Sequence, residues 1–178
     1  LVSTRGVEIR RVRTVPSATG AGEEYLRSSR PRYELRTTTT LDVPLQEAFG
    51  FFSSAGNLGL ITPAGMKLRI EGIPPTIEDG ATIDYQLRMG PLPIRWRSRI
   101  AEWAPGRRFV DIQERGPYRV WWHEHTFRAE GPRTVMEDRV YYALPLGPLG
   151  AVVHPFVVAP QLRRIFAYRG DVTRLRFG

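Results

Sequence analysis

The 178-residue sequence predicts an α+β domain in which a curved antiparallel sheet of about six to seven strands wraps around a long C-terminal helix, with two short helices after the first strand. Three observations predict it. From Met66 onward apolar and charged residues alternate with period two, the mark of strands that bury one face only. Short turn signals separate these runs, as a meander requires: Asp79-Gly80, Gly90 to Pro93, Pro105-Gly106 and Gly131-Pro132. The closing stretch, Gly147 to Phe177, carries apolar residues at mostly helical spacing, and arginines fill much of the remainder.

The elements follow in order. Residues 1–32 lack sustained apolar periodicity and read as a flexible basic arm, in which Ala21 to Ser29 has the makings of one or two helical turns. The single domain is expected over residues 33–178. Tyr33 to Leu41, with four threonines, favours a strand. Pro44 suits a first helical turn, and Leu45, Ala48, Phe49 and Phe52 follow at i, i+3, i+4 and i+7. Ser53 to Pro63 reads as a turn and a second brief helix.

Met66, Leu68 and Ile70 begin the sheet proper. After the Pro74-Pro75 break come Ile83, Tyr85, Leu87 and Met89, then Ile94, Trp96, Ser98 and Ile100. The charged alternates Arg95, Arg97 and Arg99 are expected as a solvated outer stripe. Further strands are expected over Arg108 to Glu114, Tyr118 to Ala129 and Thr134 to Leu144. If Glu130 and Arg133 flank a two-residue turn at Gly131-Pro132, Glu124 faces Arg139 on one side of the sheet and His125 faces Asp138 on the other. Pro155 and Pro160 predict that the first part of the terminal segment is kinked, looped or a separate turn.

Composition narrows the function. The chain has no cysteine, which excludes disulfides, thiolate catalysis and thiolate metal sites and fits a cytoplasmic location. No apolar run reaches the ~18 residues of a membrane span. The net charge is +8, carried almost wholly by arginine, Lys67 being the only lysine. Seven arginines against three glutamates put half of that excess in residues 1–32. A basic tail is most often merely solvated, and no nucleic-acid-binding motif accompanies this one. Membrane-surface or nucleic-acid binding through the arm therefore stands only as a distant alternative.

Particular stretches resemble the START-related superfamily, also called SRPBCC or birch-pollen-allergen-like, whose fold is the helix-grip. They are VPLQEAFGFF at the first helix, GNLGLITP after it, IRWRSRIAEWAPGRRFVDIQERGPYRVWWHEHTF in mid-sheet, and MEDRVYYALPLGPLG leading into a helix that ends LRRIFAYRGDVTRL. The mid-sheet and later stretches are similar to a bacterial ligand-binding branch with a Gly-Pro-Tyr, Trp, His-x-His, Phe pattern, here Gly116, Pro117, Tyr118, Trp121, His123, His125 and Phe127. The resemblance covers about Tyr33 to Leu175. It implies a small, mostly hydrophobic ligand between sheet and terminal helix. The superfamily also includes lipid carriers, hormone receptors and polyketide cyclases, so it implies no single activity.

The predicted inner face is mixed. Trp121, His123, His125 and Phe127 share one strand face, with Met136, Asp138, Val140 and Tyr142 on the next strand and Phe109, Asp111 and Gln113 on the one before. Burying such polar groups unpaired costs about 1–3 kcal/mol each, so they must bond one another or line a cavity. His123 and His125 are open to several readings. They form a structural network fixed by Asp138, or the polar end of a pocket, or an acid-base centre of cyclase or dehydratase type with Asp111 or Tyr142 assisting. His-x-His with Asp138 is also a zinc-like set, but such spacing arises readily in strands, and neither a metal nor a cofactor is assigned. Ligand-contact candidates are Tyr85, Trp96, Ser98, Asp111, Gln113, Trp121, His123, His125, Phe127, Asp138 and Tyr142. The expected partner is a small hydrophobic molecule, and the expected state is monomer or homodimer.

Overall fold

A computed structural model describes residues 6–12, 21–72, 74 and 77–178. Its elements are β1 (Glu8–Arg11), α1 (Ala21–Ser29), β2 (Tyr33–Leu41), α2 (Leu45–Phe52), 3-10 turns at Ala55–Asn57 and Ala64–Met66, β3 (Arg69–Gly72), β4 (Thr82–Met89), β5 (Leu92–Ala104), β6 (Arg108–Arg115), β7 (Val120–Glu130), β8 (Arg133–Ala143), α3 (Gly147–Val153), a π-helical turn at His154–Val158 and α4 (Ala159–Phe177). The sheet is antiparallel throughout, in the order β1-β2-β8-β7-β6-β5-β4-β3.

The β7–β8 register follows from its turn. Glu130 pairs with Arg133 across Gly131, whose φ of 61° favours a residue without a Cβ. That sets Glu124 opposite Arg139 and His125 opposite Asp138, as the turn residues predict. Two register shifts in the 13-residue β5, between Arg97 and Ser98 and between Ile100 and Glu102, bend the sheet into a grip.

The concave side holds two apolar clusters. One joins Trp96, Tyr118, Trp121 and Tyr142 to Leu162 and Phe166 of α4. The other joins Phe49, Phe51 and Phe52 of α2 to Phe109, Phe127, Met136 and Phe177. On the other face, Arg97 pairs with Asp84 and Arg99 with Glu114, both at 2.8 Å, as a solvated stripe should.

Three expectations are corrected. The first concerns residues 1–32. Residues 8–11 are an edge strand on β2, and 21–29 a helix whose Leu26 is fully buried against Val110, Ile112, Trp122 and Tyr141 on the convex face. Among the described residues the sheet has eight strands, and part of its second face is dry. Buried Glu34 ties β1 in, accepting hydrogen bonds from Arg10 (2.6 Å), Arg36 (2.5 Å) and the Tyr141 hydroxyl (3.0 Å). Residues 1–5 and 13–20 of the expected arm, and Pro75 of the Pro-Pro break, lie outside the described residues.

The second is a shortened first meander strand, since Met66 closes a 3-10 turn and pairing begins at Arg69. The third is the terminal segment, whose prolines widen the helix without breaking it. His154 N–H bonds the Gly150 carbonyl, and Ala159 N–H reaches back five residues to the His154 carbonyl. The widened turn accommodates the missing N–H of Pro155. His154 is buried there, stacked on Tyr33 at 3.5 Å and bonded to the Tyr142 hydroxyl at 2.8 Å. Burial, with Arg163 and Arg11 nearby, lowers its pKa. No helix among the described residues is long and apolar enough to cross a membrane.

Candidate functional site

Period-two geometry places alternate side chains of β4 to β7 on the concave side, and α4 crosses over them without filling the space. A cavity of about 180 Å3 remains. Its wall is mainly apolar: Ile83, Tyr85, Leu87, Trp96 and Trp121 from the sheet, Leu162, Ile165 and Phe166 from α4. Phe51 to Ala55, Asn57, Leu58, Ile61, Thr62, Met66 and Leu68 close the remaining side.

The polar end is a cluster of buried groups. His123 Nε2 lies 3.1 Å and His125 Nδ1 2.8 Å from Asp138 Oδ1, while His123 Nδ1 lies 3.4 Å and His125 Nε2 3.3 Å from Asp111 Oδ2. Both imidazoles are buried, and the ring of Phe109 stacks on His125 at 4.2 Å. Arg169 of α4 brings Nη2 to 3.8 Å from Asp138 and 3.4 Å from His125 Nδ1. Thr37 donates to Asp138 (3.4 Å) and Ser98 to Asp111 (3.3 Å). Ser98 in turn accepts from the Trp96 indole (3.1 Å) and lies 3.4 Å from the Tyr85 hydroxyl. One connected polar network thus runs from Tyr85 to Arg169.

Its electrostatics are set by burial against charge. Burial pushes the Asp138 carboxyl up, but Arg169 and the bonds to His123 and His125 outweigh it and hold the pKa well below the ordinary value. Asp111 is likewise lowered, burial being outweighed by its bond to His125 and the charges of His123, His125 and Arg169. His123 is lowered by burial and by His125, against the opposing pull of Asp138. The Tyr85 hydroxyl is raised well above its usual value by burial and the Asp111 charge. The resting cluster therefore holds two carboxylates, a guanidinium and a neutral His123.

The structure brings together Tyr85, Trp96, Ser98, Asp111, Trp121, His123 and His125 at the cavity. It does not bring the other candidates there. Gln113 clamps the turn before β7, donating to the Tyr118 carbonyl (2.6 Å) and accepting from the Tyr118 N–H (3.2 Å). Phe127 packs in the second aromatic cluster against Phe49 and Phe52. Tyr142 spends its hydroxyl on His154. Asp138 lies behind the two imidazoles and outside the cavity wall. Period two reports which face a side chain takes, not how far along the strand the cavity reaches.

Arg169, one of the arginines between the apolar residues of the terminal segment, is nearly buried and lines the cavity. The signal was its position. Leu162, Ile165, Phe166 and Arg169 stand at i, i+3, i+4 and i+7, on the apolar stripe itself. Its guanidinium lies over Phe52 at 5.2 Å, and its Nε has no hydrogen-bond partner.

No family model and no curated protein matches the chain. Solved structures do. Protein CV1439 from Chromobacterium violaceum is similar with a TM-score of 0.64 at 11% identity over 81% of this chain and 96% of that one. The Zhui aromatase/cyclase from a Streptomyces species is similar with a TM-score of 0.59 at 14% identity over 79% and 93%. Ara h 8.0201 is similar with a TM-score of 0.54 at 14% identity over 78% and 96%. These likenesses show the fold, a helix-grip, and leave the chemistry to the side chains.

Proposed function

We propose that this helix-grip domain is a binding protein, a carrier or sensor, for a small and mostly apolar molecule held between the sheet and α4. The observation that carries the reading is an apolar cavity of about 180 Å3 with Asp111, His123, His125 and Arg169 at one end. An engineered apolar cavity of about 150 Å3 takes up benzene, so there is room here for one ring with a polar substituent. Anything larger requires the segment from Ser53 to Leu68 to move. A guest oxygen placed beside the network would meet the Arg169 guanidinium and the imidazoles, while its ring lies against Trp96 and Trp121. Few polar groups in an aromatic lining are the usual form of such sites. The domain would work as a monomer or a homodimer.

Native mass spectrometry of protein purified from its own host tests this. The expected result is a small molecule retained by the native chain and lost from Ile165→Trp, which fills the cavity from α4. An empty native chain that also ignores added ring-sized guests would refute it.

The buried imidazole–carboxylate contacts favour a second reading, a polyketide cyclase- or dehydratase-like enzyme using His123, His125 and Asp138 in acid-base roles with Asp111 assisting. The likeness to an aromatase/cyclase points the same way. The help once expected from Tyr142 falls away, because its hydroxyl is committed to His154. His125→Ala separates the readings. An enzyme loses turnover and keeps guest affinity; a carrier loses affinity and has no turnover to lose. Binding of membranes or nucleic acid through the arm has lost its premise in residues 8–11 and 21–29, which are built into the fold.

A further inference from the structure

The polar cluster brings two imidazoles and a carboxylate together at one end of the cavity. All four ring nitrogens of His123 and His125 face carboxylate oxygens, two of them the same Asp138 Oδ1 and two the same Asp111 Oδ2. An ionised carboxylate only accepts, and a neutral imidazole donates from one nitrogen only. Hydrogen-bond geometry is met from His123 Nε2 to Asp138 (3.1 Å), from His125 Nε2 to Asp111 (3.3 Å) and from Arg169 Nη2 to His125 Nδ1 (3.4 Å). His125 Nδ1 also lies 2.8 Å from Asp138 Oδ1, so the other tautomer of this ring gives its proton to Asp138 and frees Nε2. In that tautomer His123 Nδ1, His125 Nε2 and Asp111 Oδ2 are three lone-pair atoms that face one another.

The distances among these atoms also fit an ion. They are 3.4 and 3.3 Å, at the long end for N–H···O. A tetrahedral site with metal–ligand bonds of ~2.0–2.1 Å has ligand–ligand edges of roughly 3.3–3.4 Å. One donor atom each from Asp111, His123 and His125 lies within 4.8 Å of the others.

We propose that His123 Nδ1, His125 Nε2 and Asp111 Oδ2 form a three-ligand site for a divalent transition cation of the zinc class, with its fourth position open to the cavity. Two imidazoles and a carboxylate suit zinc, cobalt or nickel and not calcium or magnesium, which prefer oxygen alone. Asp138 stands behind both rings, 3.1 Å from His123 Nε2 and 2.8 Å from His125 Nδ1, where the outer partners that fix tautomer and aim in metal-binding histidines stand. This corrects the sequence reading, where Asp138 was the third member of a possible set; the third ligand is Asp111, on the neighbouring β6. Charge then specifies the fourth ligand. Asp111, Asp138 and Arg169 sum to one negative charge, a divalent ion makes that one positive, and an anionic oxygen balances it. The site takes hydroxide when free and, resting on the binding reading above, an apolar guest that ends in a carboxylate, enolate or phenolate.

The untagged full chain, stripped with chelator, is dialysed against Zn2+ or Co2+ at micromolar concentration. One ion per chain and the visible bands of four-coordinate Co2+ are expected. Asp111→Asn and His123→Ala should weaken uptake at least 100-fold, and Asp138→Asn about 10- to 100-fold. No uptake by the native chain, or uptake unchanged in Asp111→Asn, overturns the site. Should a variant fail to fold, imidazole 15N shifts of the native chain during Zn2+ titration decide it. His123 Nδ1 and His125 Nε2 must move as ligating nitrogens, and silence there overturns it equally. Metal uptake by a chain that takes no ring-sized guest upholds this site and sinks the carrier reading; guest binding without metal uptake sinks this site alone.

Discussion

Replacing Arg169 by methionine keeps a long aliphatic side chain against Phe52 and Phe166 and removes the guanidinium that faces Asp138. The N–O separation is 3.8 Å, at which two unit charges interact by roughly 4 kcal/mol for an effective dielectric constant of ~20. The side chains are 12% and 6% exposed, so solvent screening takes little from that figure. Breaking a buried pair from one side generally costs about 3–5 kcal/mol, because the other charge is left uncompensated. Urea unfolding at neutral pH should therefore show Arg169→Met less stable by about 3–4 kcal/mol. Asp138→Asn in the same background should restore much of the loss, giving a coupling above ~1 kcal/mol in the double-mutant cycle. A loss under ~1 kcal/mol, or single losses that add within ~0.5 kcal/mol, would refute the placing of Arg169 in the cluster.

Other outcomes follow from the same contacts. Leu26→Ala should cost about 2–4 kcal/mol by urea unfolding, because Leu26 is fully buried on the convex face; a true flexible arm would change by less than ~0.5 kcal/mol. Gln113→Ala should cost about 1–3 kcal/mol and speed amide exchange at Tyr118, whose N–H and carbonyl both lose their partner; unchanged exchange would contradict the clamp. Burial pushes the Glu34 carboxyl up, but bonds from Arg36, Arg10 and Tyr141 hold it below its ordinary value. Its contribution is then complete above the ordinary carboxylate range and is lost as pH falls through the folded-state value. Glu34→Gln should flatten the acid limb of stability against pH, and an unaltered slope would count against that cluster.

Much of the sheet was legible because few physical rules decide it. One turn, Gly131-Pro132, fixes the pairing of β7 with β8, and alternation fixes the inward face of Trp121, His123 and His125. The N-terminal elements were not legible. β1 is four residues long, and α1 presents chiefly Leu26 and Tyr25 to the sheet, too little to make a stripe. The clue lay in the partner surface, since Trp122 and Tyr141 sit at positions where the alternation calls for charge. Arg169 was missed through its residue type, although its spacing placed it inside. The metal-ligand geometry was out of reach of spacing altogether, because Asp111 and Asp138 both flank the imidazoles from neighbouring strands and only distances tell which is ligand and which is support.

The most direct test reads the indole and imidazole signals of the native chain by NMR while a phenol-sized guest is titrated in. Saturable shifts at Trp96, Trp121, His123 and His125, with Trp122 on the convex face unmoved, are the result predicted from the cavity. Shifts that spread equally to Trp122, or none at the four interior rings, would contradict it.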